Sequence, residues 1–270
     1  MRALVLNCEG ESERLALQEA QLAALAIPFE RIRAITPDTL SRPSGDPWWN
    51  GWQRPLRDTE KAALETHRLA WKRVCTLGQP CLILEDDALL AADTRDLLDA
   101  VAARGGMDHL SLETRGRRKL LGPPLEDLPV RRLYMDRTGA AAYVLWPSGA
   151  RILLARTDRA PALADAAICA AFAMKSFQAV PALAIQADQC ARYGLPAPIT
   201  VKSTIDAQPK PLSRAGYTIS ERLAFRFRRI RAQIAMGLRQ LRFLGRARRE
   251  LVPPASDWPA LRLIGDKNRP

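Results

Sequence analysis

Three consecutive carboxylates, Glu85-Asp86-Asp87, follow directly on the small and apolar run Cys81-Leu82-Ile83-Leu84, and Ala88-Leu89-Leu90 then restores apolar character. Adjacent acids repel one another unless a cation or hydrogen-bond donors offset the repulsion. Carboxylate oxygens in this density suit a hard divalent cation, and such a cation suits a phosphate-bearing substrate. The same pattern also occurs at plain strand-to-loop junctions, so the surrounding chain has to decide between a metal site and a turn.

The element that must position these acids is a strand. A short apolar run bounded by polar residues reads as a buried strand covered on both faces, and in open α/β sheets ligands bind beyond the carboxyl ends of the strands. The chain before it supports that setting. Ala3 to Asn7 reads as a first strand, and a helix follows from Ser12, with Leu15, Leu22 and Leu25 at helical spacing up to Pro28. Phe29-Glu30-Arg31-Ile32 reads as a second strand, which makes the opening a β-α-β unit. Residues 36–57 are irregular, with four prolines and the run Trp48-Trp49-Asn50-Gly51-Trp52. Those tryptophans either stack on a sugar or base or, more simply, cap the core under a long loop. A helix is expected from about Thr59 to Thr76, with Ala63, His67, Ala70 and Val74 on one face. On such a face His67 reads first as a hydrogen-bonded buried histidine.

Beyond the acids the sequence predicts a helix over about Asp93 to Arg104, a strand over His109-Leu110-Ser111-Leu112, and a basic loop at Arg115-Gly116-Arg117-Arg118-Lys119 that either meets phosphate or is simply a solvated charge run. Ala140 to Trp146 reads as a strand, Pro147 starts a helix, Pro161 to Met174 reads as an alanine-rich helix carrying Asp165, and Val180 to Ile185 reads as an edge strand.

Composition narrows the function classes. With 270 residues, of which 47% are apolar, the chain can bury a full core. The net charge of +12 points to anionic partners. Five scattered cysteines without a CxxC pair offer neither a disulfide framework nor a zinc site, and imply a reducing compartment. The N-terminal apolar run is too short for a signal peptide, and no apolar span reaches the roughly 20 residues of a transmembrane helix, so a cytoplasmic location is expected. Residues 221–250 hold ten arginines against two glutamates, +8 of the +12. There Leu223, Phe227, Ile230, Ile234, Leu238 and Leu241 recur at helical spacing among arginines, a helix suited to an anionic membrane interface. Docking on the core and RNA binding are the other two roles such a helix can have. The expected organisation is a domain over 1–206, a linker over 207–220, a basic amphipathic helix over 221–250 and an irregular tail over 251–270.

Taken in order, these segments resemble the family 25 glycosyltransferases, the bacterial lipooligosaccharide galactosyltransferase group that is related to the collagen galactosyltransferases. Val5-Leu6-Asn7 followed by Glu13-Arg14 is similar to that family's opening, and Glu60 to His67 followed by Trp71 to its helix motif at identical spacing. Leu84-Glu85-Asp86-Asp87 is similar to its acidic motif, and Gly139 to Leu145 to a later strand. Pro161 with Asp165, Gln186, and Ser203-Thr204-Ile205 resemble its closing elements, so the likeness extends over about residues 1–206. The departures are Lys61-Ala62-Ala63 where the family has Ile-Gly-Cys, Thr66 for its serine, and Ala164 for the first of two aspartates.

The resemblance implies an α/β, GT-A-like fold: a Rossmann-like, mostly parallel sheet flanked by helices, here extended by the C-terminal basic helix. It also implies metal-dependent, inverting transfer of a sugar, galactose from UDP-galactose being the expected case, to a hydroxyl of lipopolysaccharide or another cell-surface glycan. Mn²⁺ or Mg²⁺ would be held by Asp87 and Glu85, and the donor by Asn7, Arg14, Glu85, Asp86 and His67. An inverting transfer needs a carboxylate base; Asp165 is the first candidate and Glu113 the second. The expected partners are the nucleotide sugar, a glycan or glycolipid acceptor and, through residues 221–250, the inner face of a membrane; nucleic acid is not expected. Two other readings are a non-catalytic, membrane-associated relative, motivated by Lys61 and Ala164, and a metal-dependent phosphoesterase or nuclease. The latter lacks the second acid or histidine cluster of a two-metal site.

Overall fold

A computed structural model describes residues 1–137, 139–199 and 216–261. In chain order the elements are β1 (Arg2–Asn7), α1 (Ser12–Ala24), β2 (Phe29–Arg33), α2 (Asp58–Leu77), β3 (Cys81–Glu85), β4 (Ala88–Leu90), α3 (Thr94–Ala102) and β5 (His109–Ser111). Then come β6 (Lys119–Pro124), β7 (Val130–Met135), β8 (Ala142–Leu145), α4 (Pro147–Arg159), α5 (Ala164–Cys169), β9 (Ser176–Ala179), β10 (Ala184–Gln186), α6 (Ile219–Arg242) and β11 (Arg248–Glu250). The expected linker 207–220 and the segment Ser203-Thr204-Ile205 lie outside the described residues, apart from 216–220.

Nine strands form one sheet in the order β11-β6-β7-β9-β5-β8-β3-β1-β2, and β10 pairs with β4 in a second, two-stranded sheet. The α/β architecture with flanking helices is as expected. Parallel pairing joins β2-β1-β3 and β5-β9, whereas β8 is antiparallel to both β3 and β5 and the far edge is antiparallel throughout.

The period-2 alternation of the central strands divides the core into two layers. Ala3 and Val5 of β1, Leu82 and Leu84 of β3 and Ala142 and Val144 of β8 face Leu17 and Leu22 of α1 and Leu97, Leu98 and Val101 of α3. Leu4 and Leu6, Cys81 and Ile83, and Tyr143 and Leu145 face the other way, against Leu64, Trp71 and Val74 of α2 and Ala150 and Leu153 of α4. The strands are therefore buried on both sides, which is why their sequences read as nearly continuous apolar runs. Trp49 is buried in the second layer, its indole donating to the Pro43 carbonyl at 3.1 Å, so it closes the core beneath the loop.

Helix α2 shows how the chain is aimed at the site. Glu60 accepts from the Arg57 backbone N–H at 2.9 Å at its start, and Gly78, at φ 66°, ends it in the left-handed conformation that glycine adopts without strain. The chain then enters β3 and delivers the acids at the opposite end of the sheet.

Three expectations about elements change. Pro161 to Met174 forms a helix only over Ala164–Cys169. Lys119 is not part of a solvated loop: it begins β6 and is buried, with its ammonium on Asp136 at 2.7 Å and Gln178 Oε1 at 2.6 Å. At the C-terminus, α6 stops at Arg242, Arg248–Glu250 adds an edge strand against β6, and Val252, Ala255, Trp258 and Ala260 are buried. The tail read as irregular thus supplies part of the core, because its apolar residues find the β6 edge and the first layer. Among the described residues no helix is long and apolar enough to cross a membrane.

Candidate active site

The pairing register builds the site. Parallel pairing places Leu6 of β1 opposite Glu85 of β3, so Asn7 emerges beside Asp86 where both strands end. Antiparallel pairing of Leu84 with Ala142 brings Gly139 to Ala141 to the same edge, and Gln186 of β10 pairs with Ala88 just past the acids. A cleft of about 620 Å³ opens there, lined among others by Arg14, His67, Glu85, Asp86, Asp87, Arg115, Asp165, Gln186 and Asp188.

Each acid is held differently. Asp86 accepts from Asn7 Nδ2 at 2.8 Å and from the Arg14 guanidinium at 3.3 Å. Its backbone is fixed too: Gln18 Nε2 donates to the Asp86 and Ala88 carbonyls at 3.0 and 2.9 Å, and Gln21 donates to Ala88 O at 2.8 Å. Gln18 and Gln21 lie on the buried side of α1 and clamp the turn carrying the acids. Glu85 and Asp87 share one donor group, the amide of Gln186, at 3.0 Å to Glu85 Oε2 and 3.3 Å to both oxygens of Asp87. Burial holds both carboxyls well above their ordinary range, and the charge of Glu85 pushes Asp87 further up.

The other oxygen of Glu85 meets a buried relay. Trp71 Nε1–H can only donate, so it donates to the Tyr143 hydroxyl at 2.8 Å. The hydroxyl then donates to His67 Nδ1 at 3.0 Å, which leaves the ring proton on Nε2, facing Glu85 Oε1 at 3.3 Å. Burial lowers the His67 pKa to about 4, so a neutral imidazole donates to the carboxylate. His67 is thus a buried, hydrogen-bonded histidine that also orients an acid of the cleft.

Of the two candidate bases, the fold brings only one to the cleft. Asp165 lines it from α5, with burial raising its pKa above the ordinary carboxylate value. Glu113 does not line it. It is buried, its side chain turned inward to accept from Ala141 N–H at 3.0 Å, and burial pushes its pKa up to about 8. A base behind the cleft wall and protonated at neutral pH cannot reach an acceptor hydroxyl, so Glu113 is a structural acid. Gly139, at φ 130°, lies over it: a Cβ there would stand 3.4 Å from Glu113 Oε2.

Arg115 faces the acids from the loop between β5 and β6 and pairs with Asp188 at 3.2 Å. Lys61 lies off the cleft: its ammonium binds Asp58 at 2.7 Å and the backbone and hydroxyl of Ser44 at 2.9 Å, tying α2 to the tryptophan loop. Gln18, Gln21, Tyr143 and Arg115 are the side chains around the acids that sequence reasoning undervalued. The signals were the i, i+3 spacing of the two glutamines on an apolar face and, for Arg115, its place in the basic loop.

The residues fit a hard divalent cation. Two carboxylates point together, and Gln186 Oε1 beside them is buried without a partner, an oxygen donor left unused. Among the described residues no three His, Cys, Asp or Glu side chains are grouped to hold a metal by themselves. That is the arrangement in which one or two carboxylates share a cation with substrate phosphates.

Residues 1–120 match the sequence model of glycosyltransferase family 25 (LPS biosynthesis protein), which bears out the resemblance over that part of the chain and supports a transferase. No curated protein matches the chain. Among solved structures it is similar to A197 from STIV, at 12% identity and TM-score 0.38 over 66% of this chain and 81% of that one. It is also similar to a mannose-1-phosphate geranyltransferase from Thermus thermophilus, at 15% identity and TM-score 0.36 over 66% of this chain and 73% of that one. A third is the inositol-1-phosphate CTP transferase from T. maritima, at 12% identity and TM-score 0.37 over 69% and 70% of the two chains.

Proposed function

Proceeding from the family 25 match over residues 1–120, we propose that this chain is a metal-dependent, inverting glycosyltransferase that moves a sugar from a UDP-sugar, galactose first among candidates, to a hydroxyl of lipopolysaccharide or another cell-surface glycan. The observation that carries this reading is the pair Glu85 and Asp87, brought together at the end of β3 and sharing one Gln186 amide at the floor of a cleft that also holds Arg14 and Arg115.

Glu85 and Asp87 are the side chains that would hold Mn²⁺ or Mg²⁺, which supplies Lewis-acid neutralisation of the diphosphate leaving group when bound. Asp86, held by Asn7 and Arg14, is the acid that would accept from a ribose hydroxyl. His67 keeps Glu85 oriented. Asp165 takes the proton of the acceptor hydroxyl as the bond to the anomeric carbon forms; its raised pKa suits a base working near neutral pH.

The outer face of α6 supports a location at a membrane surface. Leu223, Phe227, Ile230, Ile234, Leu238 and Leu241 form one stripe and are 54–67% exposed. Arg222, Arg226, Arg229, Arg231 and Arg242 flank it. Apolar burial into the acyl boundary with cations at the headgroups is the binding mode this pattern supports, on the cytoplasmic face of the inner membrane.

Calorimetric titration with UDP, with and without Mn²⁺, tests the donor site. Expected is Mn²⁺-dependent binding in the wild type, weakened by at least about 100-fold in Asp87→Ala. Metal-independent binding, or a variant that binds as well as wild type, would refute it.

A further inference from the structure

Helix α6 spans the molecule like a strut. At its N-terminal half Asn50 donates to Glu221 at 3.1 Å and Arg228 donates to the Asn50 carbonyl at 2.9 Å. At its C-terminal end Arg239 donates to the Tyr134 carbonyl, and Phe243 stacks on Tyr134 at 3.8 Å between ring centroids. Between those attachments the helix stands off α4 and α5 and encloses a cleft of about 1030 Å³.

Five arginines line that cleft: Arg137, Arg156 and Arg159 from the domain, Arg228 and Arg231 from α6. Among the described residues the guanidinium groups of Arg137, Arg156, Arg159 and Arg231 have no hydrogen-bond or ion-pair partner. Elsewhere in the domain arginines are routinely paired, as Arg54 is with Glu60, Arg68 with Asp158, Arg73 with Glu30 and Arg131 with Glu250. The acid that does line the cleft, Asp136, is already bound to Lys119. Burial and the charge of Arg231 both lower the Arg156 pKa, so the cations are crowded enough to repel. Trp52, half-buried, also lines the cleft, and an indole is a side chain on which a sugar can stack. Guanidinium forks match phosphate oxygens bidentately.

We propose that this arginine cleft is a second substrate subsite that binds a phosphate group borne by the saccharide acceptor. The placement fits delivery to the acid cleft, because α5 is the wall between the two: Ala164 and Asp165 line one side, Ala166 and Cys169 the other. It rests on the transferase reading above, and on a phosphate that either belongs to a lipid-linked acceptor rising beside the membrane face of α6 or sits on a free phosphosugar.

The test uses the full chain in EDTA, where the metal-dependent donor site contributes nothing, so failure here and failure of UDP binding are separate results. Inorganic diphosphate is titrated calorimetrically into wild type, into Arg156→Gln/Arg159→Gln on α4, and into the charge-matched control Arg248→Gln/Arg249→Gln, whose exposed residues neither line the cleft nor flank the α6 stripe. Expected is binding weakened by about tenfold in the first variant and unchanged in the control. No binding by wild type, or equal weakening in both variants, would overturn the subsite. Flotation with phosphatidylcholine vesicles containing phosphatidic acid then separates the sources: a lipid-linked phosphate predicts weaker binding for the cleft variant than for the control, a free phosphosugar predicts the two alike.

Discussion

At the floor of the acid cleft the charged groups meet fixed partners: Asp86 has Asn7 and Arg14, Glu85 has His67 and Gln186, and Arg115 has Asp188. Along the outer face of α6, Arg226 and Arg229 have none among the described residues, and Phe227 is 67% exposed. One region is pre-organised because its desolvated carboxylates are held by fixed donors, with Gln186 Oε1 left as a spare oxygen donor. The other has left its charges solvated and its apolar surface in water, which suits a partner without a fixed shape. Pre-organisation serves a small ligand whose atoms must be placed; a bilayer surface only has to be wetted and attracted.

If that contrast is right, equivalent changes should have very different costs. Trp71→Ala empties a fully buried site under the relay and should cost about 4 kcal/mol in urea unfolding, whereas a loss below about 1 kcal/mol would show the cleft floor to be looser than described. Next comes Glu113. Its folded pKa of about 8 lies above the ordinary carboxylate value, so the unfolded chain releases the proton first. Stability is therefore fully present below about pH 4 and is lost as pH rises toward 8, by roughly 3 kcal/mol between pH 5 and 8. Glu113→Gln keeps the acceptor for Ala141 N–H and should flatten that slope; parallel pH profiles for variant and wild type would count against a buried, protonated acid.

Tyr143→Phe sharpens the comparison at a single atom. It leaves Trp71 Nε1 and His67 Nδ1 buried without a partner and should cost about 2 kcal/mol. It should also weaken Mn²⁺-dependent UDP binding, because His67 is then free to turn from Glu85. Unchanged affinity alongside lost stability would confine the relay to packing.

How much of this the sequence carried follows from the range of each interaction. The acids at the end of an apolar run, the opening β-α-β unit and α2 were legible because their patterns are local and strongly periodic. The strands β6, β7 and β9 were not. Lys119, Arg131 and Arg132 put charge into them, and Gly122 and the prolines at 123–124 read as loop. Their strand character comes from neighbours far along the chain. The fate of Glu113 was illegible for the same reason: that a residue following a strand points inward depends on Ala141 and Gly139 crossing over it. The stripe on α6 was plain in the spacing, but not that the helix would dock through Phe225, Arg228 and Arg239 and turn the stripe outward.

That orientation gives the smallest expected change in stability and the clearest contrast in function. Phe227→Ser/Ile234→Ser alters two residues that are 67% and 56% exposed, so urea unfolding should shift by no more than about 0.5 kcal/mol. Flotation with phosphatidylglycerol vesicles should nevertheless fall by about tenfold, since both apolar anchors are lost, while UDP binding stays as in wild type. The arginines predict a further signature: wild-type binding weakens with added salt and is poorer on phosphatidylcholine alone. A variant that floats as well as wild type would remove the membrane from the account. A variant that unfolds easily would show instead that the stripe is covered within the protein, and α6 would then belong with the pre-organised half of the molecule.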